Sequence, residues 1–324
     1  MKRRGDPTTK LALQTALVTG AAGFVGSHLV DALLRNQVRV IGFDNLTTGT
    51  RQNLENAEFN DAFTLIESDI RDAKAIDQAC NDCDVVFHLA AVTKVAESVR
   101  DPQKYTDINV TGTQNVITGA IKAGVKRFVF ASSAAVYGTP EIVPIPEDAA
   151  TQPLSPYGAS KLEGERLCVK AAEKGLVAPQ LRLFNIYGSR QAKDNEAGVV
   201  SIFIHRARQG LPLVIFDDGH QTRDFIFVED AVEAFIRAAI LSDVPSEPIN
   251  IGCGKAVSIL ELAEEIQQIV PSCSPELVFE EPRPGDIYHS VGNVTRMRTH
   301  LQFEPRHSLH DGLIKTVNAL EVAK

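Results

Sequence analysis

The stretch TALVTGAAGFVG at residues 15–26 decides the fold that we predict for this chain of 324 residues. An apolar run forms its first part, and glycines at positions 20, 23 and 26 lead into a segment with the apolar spacing of a helix. Glycines at such a turn permit a tight bend, a close approach of the backbone to a pyrophosphate and close packing of helix on strand. Because free amides at a helix start bind anions, the stretch predicts a dinucleotide site.

Outward from this stretch, apolar runs alternate with helical segments. Further runs lie at 38–43, 85–89 and 127–130, and a long helical segment spans about 102–124. Near-continuous apolar strands that alternate with helices indicate a parallel sheet covered on both faces. Right-handed crossovers then give an α/β fold with a doubly wound parallel sheet.

The regular alternation of apolar runs and helical segments becomes weaker after about residue 184, where proline, glycine and polar turns become frequent. Helices are predicted at 199–209, 229–241 and 258–270, and Ser258 is a plausible N-cap because Glu261 follows three residues later. We therefore expect an N-terminal extension over 1–14, a dinucleotide-binding domain over 15–184, and a smaller C-terminal α/β substrate lobe over 185–324. Some segments of that lobe are expected to return to the sheet.

Composition excludes several classes of function. The chain has a net charge of −8 and no dense basic stripe, so we predict no binding to nucleic acid. No apolar run is long enough to span a membrane, and residues 1–14 lack the apolar core of a signal peptide. These features predict a soluble, cytoplasmic protein.

The five cysteines do not indicate a metal site. Cys80 and Cys83 form a CxxC pair, but no second pair or histidine cluster completes a zinc site. Scattered reduced thiols are the favoured interpretation, and a redox role for the pair stays open.

Acidic residues after two apolar runs suit a nucleotide. Asp44 ends the second run, roughly 20 residues after the glycines, where a carboxylate accepts hydrogen bonds from ribose hydroxyls. Its charge repels a 2′-phosphate, so NAD is favoured over NADP. Asp69 and Ile70 either border the adenine or form an ordinary loop.

A tyrosine and a lysine four residues apart form the predicted catalytic group. Tyr157 and Lys161 share one helix face, and a nearby positive charge lowers the pKa of a phenol so that it acts as a base. Ser132 and Ser133 end an apolar strand at the crevice where open sheets bind ligands. Because these groups are intact, a binding protein without enzymatic activity is disfavoured.

Eight motifs now follow one another along the chain: GAAGFVG at 20–26, HLAA at 88–91, INVTGTQN at 108–115, SSAAVYG at 132–138, SPYGASK at 155–161, LFNIYGSRQ at 183–191, QTRDFIFVEDA at 221–231 and RPGDIYHS at 283–290. With them the chain, from about Thr15 onward, resembles the extended short-chain dehydrogenase/reductases. Within these it is similar to the nucleotide-sugar 4-epimerases of the UDP-glucose/UDP-N-acetylglucosamine group. The resemblance implies a Rossmann domain and a nucleotide-sugar-binding lobe.

The resemblance also implies which residues act. Ser133, Tyr157 and Lys161 would be catalytic, and Asn109 would support the site. The residues implied for NAD binding are Gly20, Gly23, Phe24, Val25, Gly26, Asp44, Asn45, Asp69, Ile70, Leu89, Ala90, Ala91, Asn109, Tyr157 and Lys161. Those implied for the substrate are Thr93, Ser133, Asn185, Arg223, Arg283, Asp286 and Ser290.

Neighbouring residues bear on the reaction. Dehydratases and decarboxylases of this kind carry acidic residues where this chain has Ala134 and Ala135, which neither donate nor accept a proton. We therefore expect 4-epimerisation of a UDP-hexose, with a dehydratase, a decarboxylase or a reductase of the same family as alternatives.

The sugar itself is less sharply defined. Ser290 stands where glucose-only epimerases carry a bulky tyrosine, so UDP-GlcNAc and UDP-GalNAc are expected beside UDP-Glc and UDP-Gal. Asn185 disfavours UDP-glucuronate, although Lys193 keeps it open. His220 and the pair Thr93-Lys94 depart from the usual residues and leave the exact hexose undecided.

Relatives of this kind usually form homodimers through two helices of each subunit. Apolar residues on the two corresponding segments permit the same here: Val116, Ile117, Ala120 and Ile121 on one, and Leu162, Leu167 and Val169 on the other. A homodimer is therefore expected.

Overall fold

The computed structural model describes residues 13–192, 198–270, 275–282 and 286–322. Its strands are β1 (Thr15–Thr19), β2 (Arg39–Asp44), β3 (Phe63–Glu67), β4 (Val85–His88), β5 (Arg127–Ser133), β6 (Gln180–Leu183), β7 (Asn185–Tyr187), β8 (Leu213–Phe216), β9 (Thr222–Arg223), β10 (Phe225–Phe227), β11 (Pro248–Ile251), β12 (Val257–Ser258), β13 (Leu277–Glu280) and β14 (His289–Ser290). Its α-helices are α1 (Phe24–Arg35), α2 (Glu55–Glu58), α3 (Ala73–Ala79), α4 (Val95–Arg100), α5 (Pro102–Tyr105), α6 (Thr113–Lys122), α7 (Pro156–Ala172), α8 (Val199–Arg208), α9 (Val228–Ile240), α10 (Ile259–Ile269), α11 (Thr295–His300) and α12 (Leu309–Val322).

Seven parallel strands form the central sheet, in the order β11-β6-β5-β4-β1-β2-β3. Leu17 at its centre pairs with Ile41 on one side and Val86 on the other. Leu17 and Val18 are both fully buried, yet they belong to different cores on opposite faces of the sheet. Burial on both faces explains why this strand is continuously apolar, and it confirms the doubly wound α/β prediction.

Helices cover the two faces of this sheet. Residues of α1 and α9 fill the core on one face, and residues of α3, α6 and α7 fill the core on the other. The helical segment predicted over 102–124 is divided, because a π-helical segment at Thr106–Gly112 lies between α5 and α6. Such widened turns are frequent at functional sites, and this one contains Asn109.

The second half contributes to two cores. Strand β11 pairs with β6 at the edge of the central sheet, while α8, β8, β10, α10 and α12 pack around a third core. The predicted helices over 199–209, 229–241 and 258–270 are confirmed as α8, α9 and α10. The predicted cap is confirmed too, because Glu261 N donates to Ser258 Oγ at 3.0 Å and Ser258 N donates to Glu261 Oε2 at 2.8 Å.

Most of the residues proposed for a helical dimer interface are buried in the core of the chain itself. Val116, Ile117, Ala120 and Leu167 are buried in the core beneath α6 and α7, whereas Val169 is 50% exposed. One face of each helix must cover the sheet, and that face holds most of the apolar residues. The sequence pattern therefore does not identify a dimer surface.

Within the described residues, no helix has both the length and the apolar character needed to cross a membrane, and no cluster of His, Cys, Asp or Glu is arranged to hold a metal ion. Cys80 and Cys83 are both free and buried. Burial raises the pKa of each thiol to about 12, so both thiols are protonated and unreactive near neutral pH.

Candidate active site

A cavity of about 550 Å³ lies at the carboxyl ends of the central strands. This is the edge at which open α/β sheets bind ligands. The predicted residues that line the cavity are Gly20, Gly23, Phe24, Val25, Gly26, Asp44, Asn45, Asp69, Ile70, Leu89, Ala90, Ala91, Thr93, Tyr157 and Lys161. The fold thus brings almost all of the residues proposed for the dinucleotide to one cavity.

The turn between β1 and α1 leaves no room for side chains at two of its glycines. Gly20 has φ +71°, and a Cβ there would lie 2.8 Å from the backbone nitrogen of Ala90. A Cβ on Gly26 would lie 2.0 Å from the carbonyl oxygen of Gly20. Gly23 is the N-cap residue of α1, and no side chain at this position hydrogen-bonds to the start of the helix. The turn therefore presents bare backbone and a helix N-terminus to the cavity, which fits a pyrophosphate.

A buried carboxylate stands at the end of β2. Asp44 is 8% exposed, its Oδ2 accepts from Ala22 N at 3.0 Å, and its Oδ1 accepts from Leu46 N at 2.8 Å. Burial raises the pKa of Asp44. A carboxylate has about four acceptor sites, so two remain for the ribose hydroxyls of a dinucleotide.

Asp69 is held in place by a neighbour that the sequence analysis missed. Arg71 Nε donates to Asp69 Oδ1 at 2.9 Å, and Arg71 Nη2 donates to Oδ2 at 2.8 Å. Asn45 Nδ2 donates to Asp69 Oδ2 at 2.9 Å. The Arg71 hydrogen bond is the main cause that lowers the pKa of Asp69 to about 2. Arg71 also lines the cavity, and its position two residues after Asp69 was the available signal.

Helix α7 places the predicted acid–base residues at the cavity wall. Ser155 caps α7 by accepting a hydrogen bond from Gly158 N at 3.1 Å, and Tyr157 and Lys161 occupy its first two turns. Lys161 Nζ donates to Ala131 O at 2.9 Å. Burial lowers the pKa of Lys161 to about 8, so its charged form is still the main one at neutral pH.

Burial and a serine shift the pKa of the Tyr157 phenol in opposite directions. Burial raises the pKa of Tyr157, and a hydrogen bond with Ser133 acts in the opposite direction. The sequence analysis attributed a lowered pKa of this phenol to a nearby positive charge, and in this structure the Lys161 ammonium group donates to the strand carbonyl of Ala131. Ser133 is thus the side chain that favours the ionised phenol in this structure.

Asn109 supports the site from behind and does not line the cavity. Its Oδ1 accepts from Val92 N at 2.9 Å, and its Nδ2 donates to Val92 O and to Ser160 Oγ, each at 2.9 Å. Ser160 Oγ donates in turn to Tyr157 O at 2.7 Å. Asn109 therefore joins the segment after β4 to the first turn of α7.

The residues proposed for the nucleotide sugar meet beside the catalytic strand. In the register of β5 and β6, Ser133 lies opposite Leu183, and Asn185 comes two residues later. Arg223 Nη2 donates to Asp286 Oδ1 at 2.6 Å, and Arg223 is the register partner of Ser290. Of those that lie in the described part of the chain, only Thr93 borders the 550 Å³ cavity.

Two residues of the sequence analysis, Arg283 and Lys193, lie outside the described residues.

A carboxylate that the sequence analysis did not single out lies next to Arg223. Asp224 is fully buried and accepts hydrogen bonds from the backbone amides of Cys253 at 2.6 Å, Gly254 at 2.9 Å and Gly292 at 3.2 Å. Burial raises the pKa of Asp224 to about 6. Its place in the QTRDF motif was the only signal in the sequence, and its amide partners are distant along the chain.

Comparison with known proteins agrees with this geometry. The model of the NAD dependent epimerase/dehydratase family matches residues 16–252. A UDP-glucose 4-epimerase of Mycolicibacterium smegmatis is 40% identical over 304 residues, which cover 93% of this chain and 96% of the relative. A UDP-N-acetyl-alpha-D-glucosaminuronate decarboxylase of Bacillus cytotoxicus is 37% identical, with coverage of 93% and 96%.

A solved structure is similar over nearly its whole length. The UDP-N-acetylglucosamine 4-epimerase of Methanobrevibacter ruminantium M1, in complex with UDP-N-acetylmuramic acid, superimposes with a TM-score of 0.91 at 34% identity. The match covers 96% of this chain and 99% of that chain. A glycine turn, a carboxylate at the end of β2 and a Ser-Tyr-Lys group thus accompany similarity over most of the chain: the chain belongs to the NAD dependent epimerase/dehydratase family.

Proposed function

We propose that this protein is an isomerase that inverts C4 of a UDP-hexose through a transient 4-keto sugar. One observation carries the proposal. Tyr157 lies at the wall of the dinucleotide cavity, where the neighbouring Ser133 hydroxyl acts to lower its pKa, and Ala134 and Ala135 follow that serine. Tyr157 is therefore the acid–base residue proposed next to the cofactor, and the two positions after Ser133 carry no acidic side chain.

Each residue of the group has a role that its contacts support. NAD, when bound in the cavity, supplies the oxidation and the subsequent reduction at C4. Tyr157 removes the proton of the sugar 4-hydroxyl and later returns it, and Ser133 orients that hydroxyl and stabilises the ionised phenol. Lys161, anchored on Ala131 O, adds a positive charge close to the cofactor. Asn185 and Arg223 hold the diphosphate while the keto sugar turns over.

The two alanines favour epimerisation over the alternatives. Elimination of water and decarboxylation need further acid–base groups, and Ala134 and Ala135 cannot supply them. The backbone amide of Ala135 donates to Ser133 Oγ at 3.1 Å, so this turn serves to fix the catalytic serine. The similarity to a decarboxylase keeps a different reaction of the same family as the second candidate.

The strand that carries Ser290 supports an N-acetylated sugar. Ser290 is half-buried and lies opposite Arg223, in the group proposed to hold the diphosphate. A serine is small enough to leave space for a 2-N-acetyl group. We therefore propose UDP-GlcNAc and UDP-GalNAc as substrates beside UDP-Glc and UDP-Gal, with UDP-glucuronate as the alternative.

We also propose a cytoplasmic homodimer. The four cysteines in the described residues (Cys80, Cys83, Cys168 and Cys253) are free, which suits a reducing compartment. Val95 and Val99 on α4 are 51% and 63% exposed, and α4 packs against α7, so these two helices offer an apolar surface to a second copy. Light scattering of the purified protein at several concentrations tests the dimer.

The purified protein, without added cofactor, should be incubated separately with UDP-Glc, UDP-GlcNAc and UDP-GlcA and followed by proton NMR of the anomeric region. We expect the galacto isomers of the first two sugars and no net formation of NADH. The Tyr157→Phe variant is the control and should show no turnover. A pentose, an unsaturated sugar or a stable keto product from the wild type would contradict the proposal.

A further inference from the structure

A buried ion pair lies behind the active site and takes no part in the proposed chemistry. Arg182 on β6 binds Glu165 on α7 through two hydrogen bonds, Nε to Oε1 at 2.9 Å and Nη2 to Oε2 at 2.8 Å. Both side chains are only 5% exposed, and neither lines the cavity. A two-point contact between a planar guanidinium and a carboxylate fixes orientation as well as distance.

The same carboxylate also binds the catalytic strand. Ser132 Oγ donates to Glu165 Oε1 at 2.5 Å. Three consecutive residues of β5 therefore interact with α7: Ala131 accepts from Lys161, Ser132 donates to Glu165, and the Ser133 hydroxyl acts to lower the pKa of Tyr157. Glu165 lies one turn beyond Lys161 and two turns beyond Tyr157 on the helix.

Close packing along α7 makes its position sensitive to these bonds. Gly164 lies against the ring of Phe130, and a Cβ there would be 2.4 Å from the ring carbon Cζ. Helix and strand are therefore in direct contact between the Tyr-Lys pair and Glu165. A rotation of α7 about its axis would carry both catalytic side chains with it.

Arg182 is fixed on its other side as well. Its Nη1 donates to Glu147 O at 2.9 Å, and its guanidinium lies 4.7 Å from the centre of the Tyr137 ring. The Tyr137 hydroxyl donates to Asn250 Oδ1 at 2.6 Å, and Asn250 Nδ2 donates to Ile145 O at 2.8 Å. Because Glu147 and Tyr137 hold Arg182, and Asn250 of β11 holds Tyr137 in turn, Glu165 is bound to a group that is fixed on both sides.

Stability alone is a weak reason for such a pair. Two charges that lose their hydration gain little or nothing over apolar side chains of similar volume, but they specify a geometry that apolar contacts leave free. We propose that Glu165 and Arg182 are positioning residues for the reaction, which set the rotation of α7 so that Tyr157 and Lys161 meet Ser133. This inference rests on the proposed function for the catalytic role of Tyr157 and for the substrate of its activity assay.

Two variants separate positioning from stability. The double variant Glu165→Met/Arg182→Met removes both charges and keeps an apolar filling, and Glu165→Gln removes one charge and keeps the shape. The control is Glu163→Gln on the same helix, whose ion pair with Arg166 is exposed. Thermal unfolding is measured first, and then kcat, KM and the pH profile of kcat with UDP-Glc and UDP-GlcNAc.

We expect the double variant to fold, with a kcat lowered by about tenfold or more because small displacements of reacting groups are costly. KM should stay unchanged, and the acidic limb of the pH profile should move to higher pH because the phenol is less well placed against Ser133. A folded double variant with wild-type kcat and pH profile would overturn the proposal. If the double variant does not fold, the kcat and the pH profile of Glu165→Gln test the proposal in the same way.

A measurement without sugar keeps this test independent of the proposed function. Ultraviolet difference titration of the NAD-loaded protein against its Tyr157→Phe variant reports the ionisation of that phenol alone. In the Glu165→Gln background the phenol should ionise at higher pH than in the wild type, and an equal pH would overturn the positioning role. If the wild type converts no UDP-hexose, the proposed function fails, whereas the titration still decides on Glu165 and Arg182.

Discussion

Removal of the Ser133 hydroxyl should move the acidic limb of the activity profile to higher pH. Burial raises the pKa of Tyr157, and the hydrogen bond with Ser133 opposes that rise. In Ser133→Ala only the burial effect remains, so the phenol ionises at higher pH. A hydrogen bond to a charged group contributes about 1.5–3 kcal/mol. Because each 1.36 kcal/mol corresponds to about tenfold, kcat below the acidic limb should fall by about 10- to 150-fold.

The pH profile of kcat with a saturating UDP-hexose is the assay for this prediction. In Ser133→Ala the acidic limb should lie at higher pH, so that part of the lost activity returns as the pH rises. Ser242→Ala, which removes an exposed hydroxyl remote from α7, is the matched control and should leave the profile unchanged. A loss of equal size at every pH would refute the reasoning, because Ser133 would then act only on the substrate.

Three further predictions follow from the same geometry. Gly26→Ala should abolish retention of NAD, measured as dinucleotide released on denaturation, since its Cβ would lie 2.0 Å from Gly20 O; Gly23→Ala, at 3.2 Å, should keep part of it. Ser290→Tyr should lower kcat/KM for UDP-GlcNAc by about tenfold or more relative to UDP-Glc, because about 1–3 kcal/mol is typical when a pocket loses space for a substituent; an equal loss for both sugars would contradict the assigned role. Asp224→Asn should lower the free energy of unfolding in urea by about 1–3 kcal/mol, because its amide NH₂ would face backbone donors; an unchanged midpoint would show that the three amides find other acceptors.

Local features of the sequence were sufficient for the strands, the glycine turn and several helices. The turn at Gly20 and the cap at Ser258 depend on residues within a few positions of each other, and such short-range geometry is encoded by residue type. The continuous apolar runs also predicted a sheet buried on both faces, which the cores on either side of Leu17 and Val18 confirm. The helix over 102–124 was predicted, but its π-helical segment was not; Asn109 within that segment bonds to Val92 and Ser160, which are distant in the sequence.

The sequence alone determined the parallel α/β fold and the location of the glycine turn, and it predicted the Ser-Tyr-Lys group. Only the tertiary structure decided which groups control that site. Lys161 is bonded to Ala131, Glu165 to Arg182, and Arg223 to Asp286, 63 positions away. The physical reason is that pKa values and ion pairs depend on burial and on neighbours from distant segments, and these are set only when the sheet and its helices have packed.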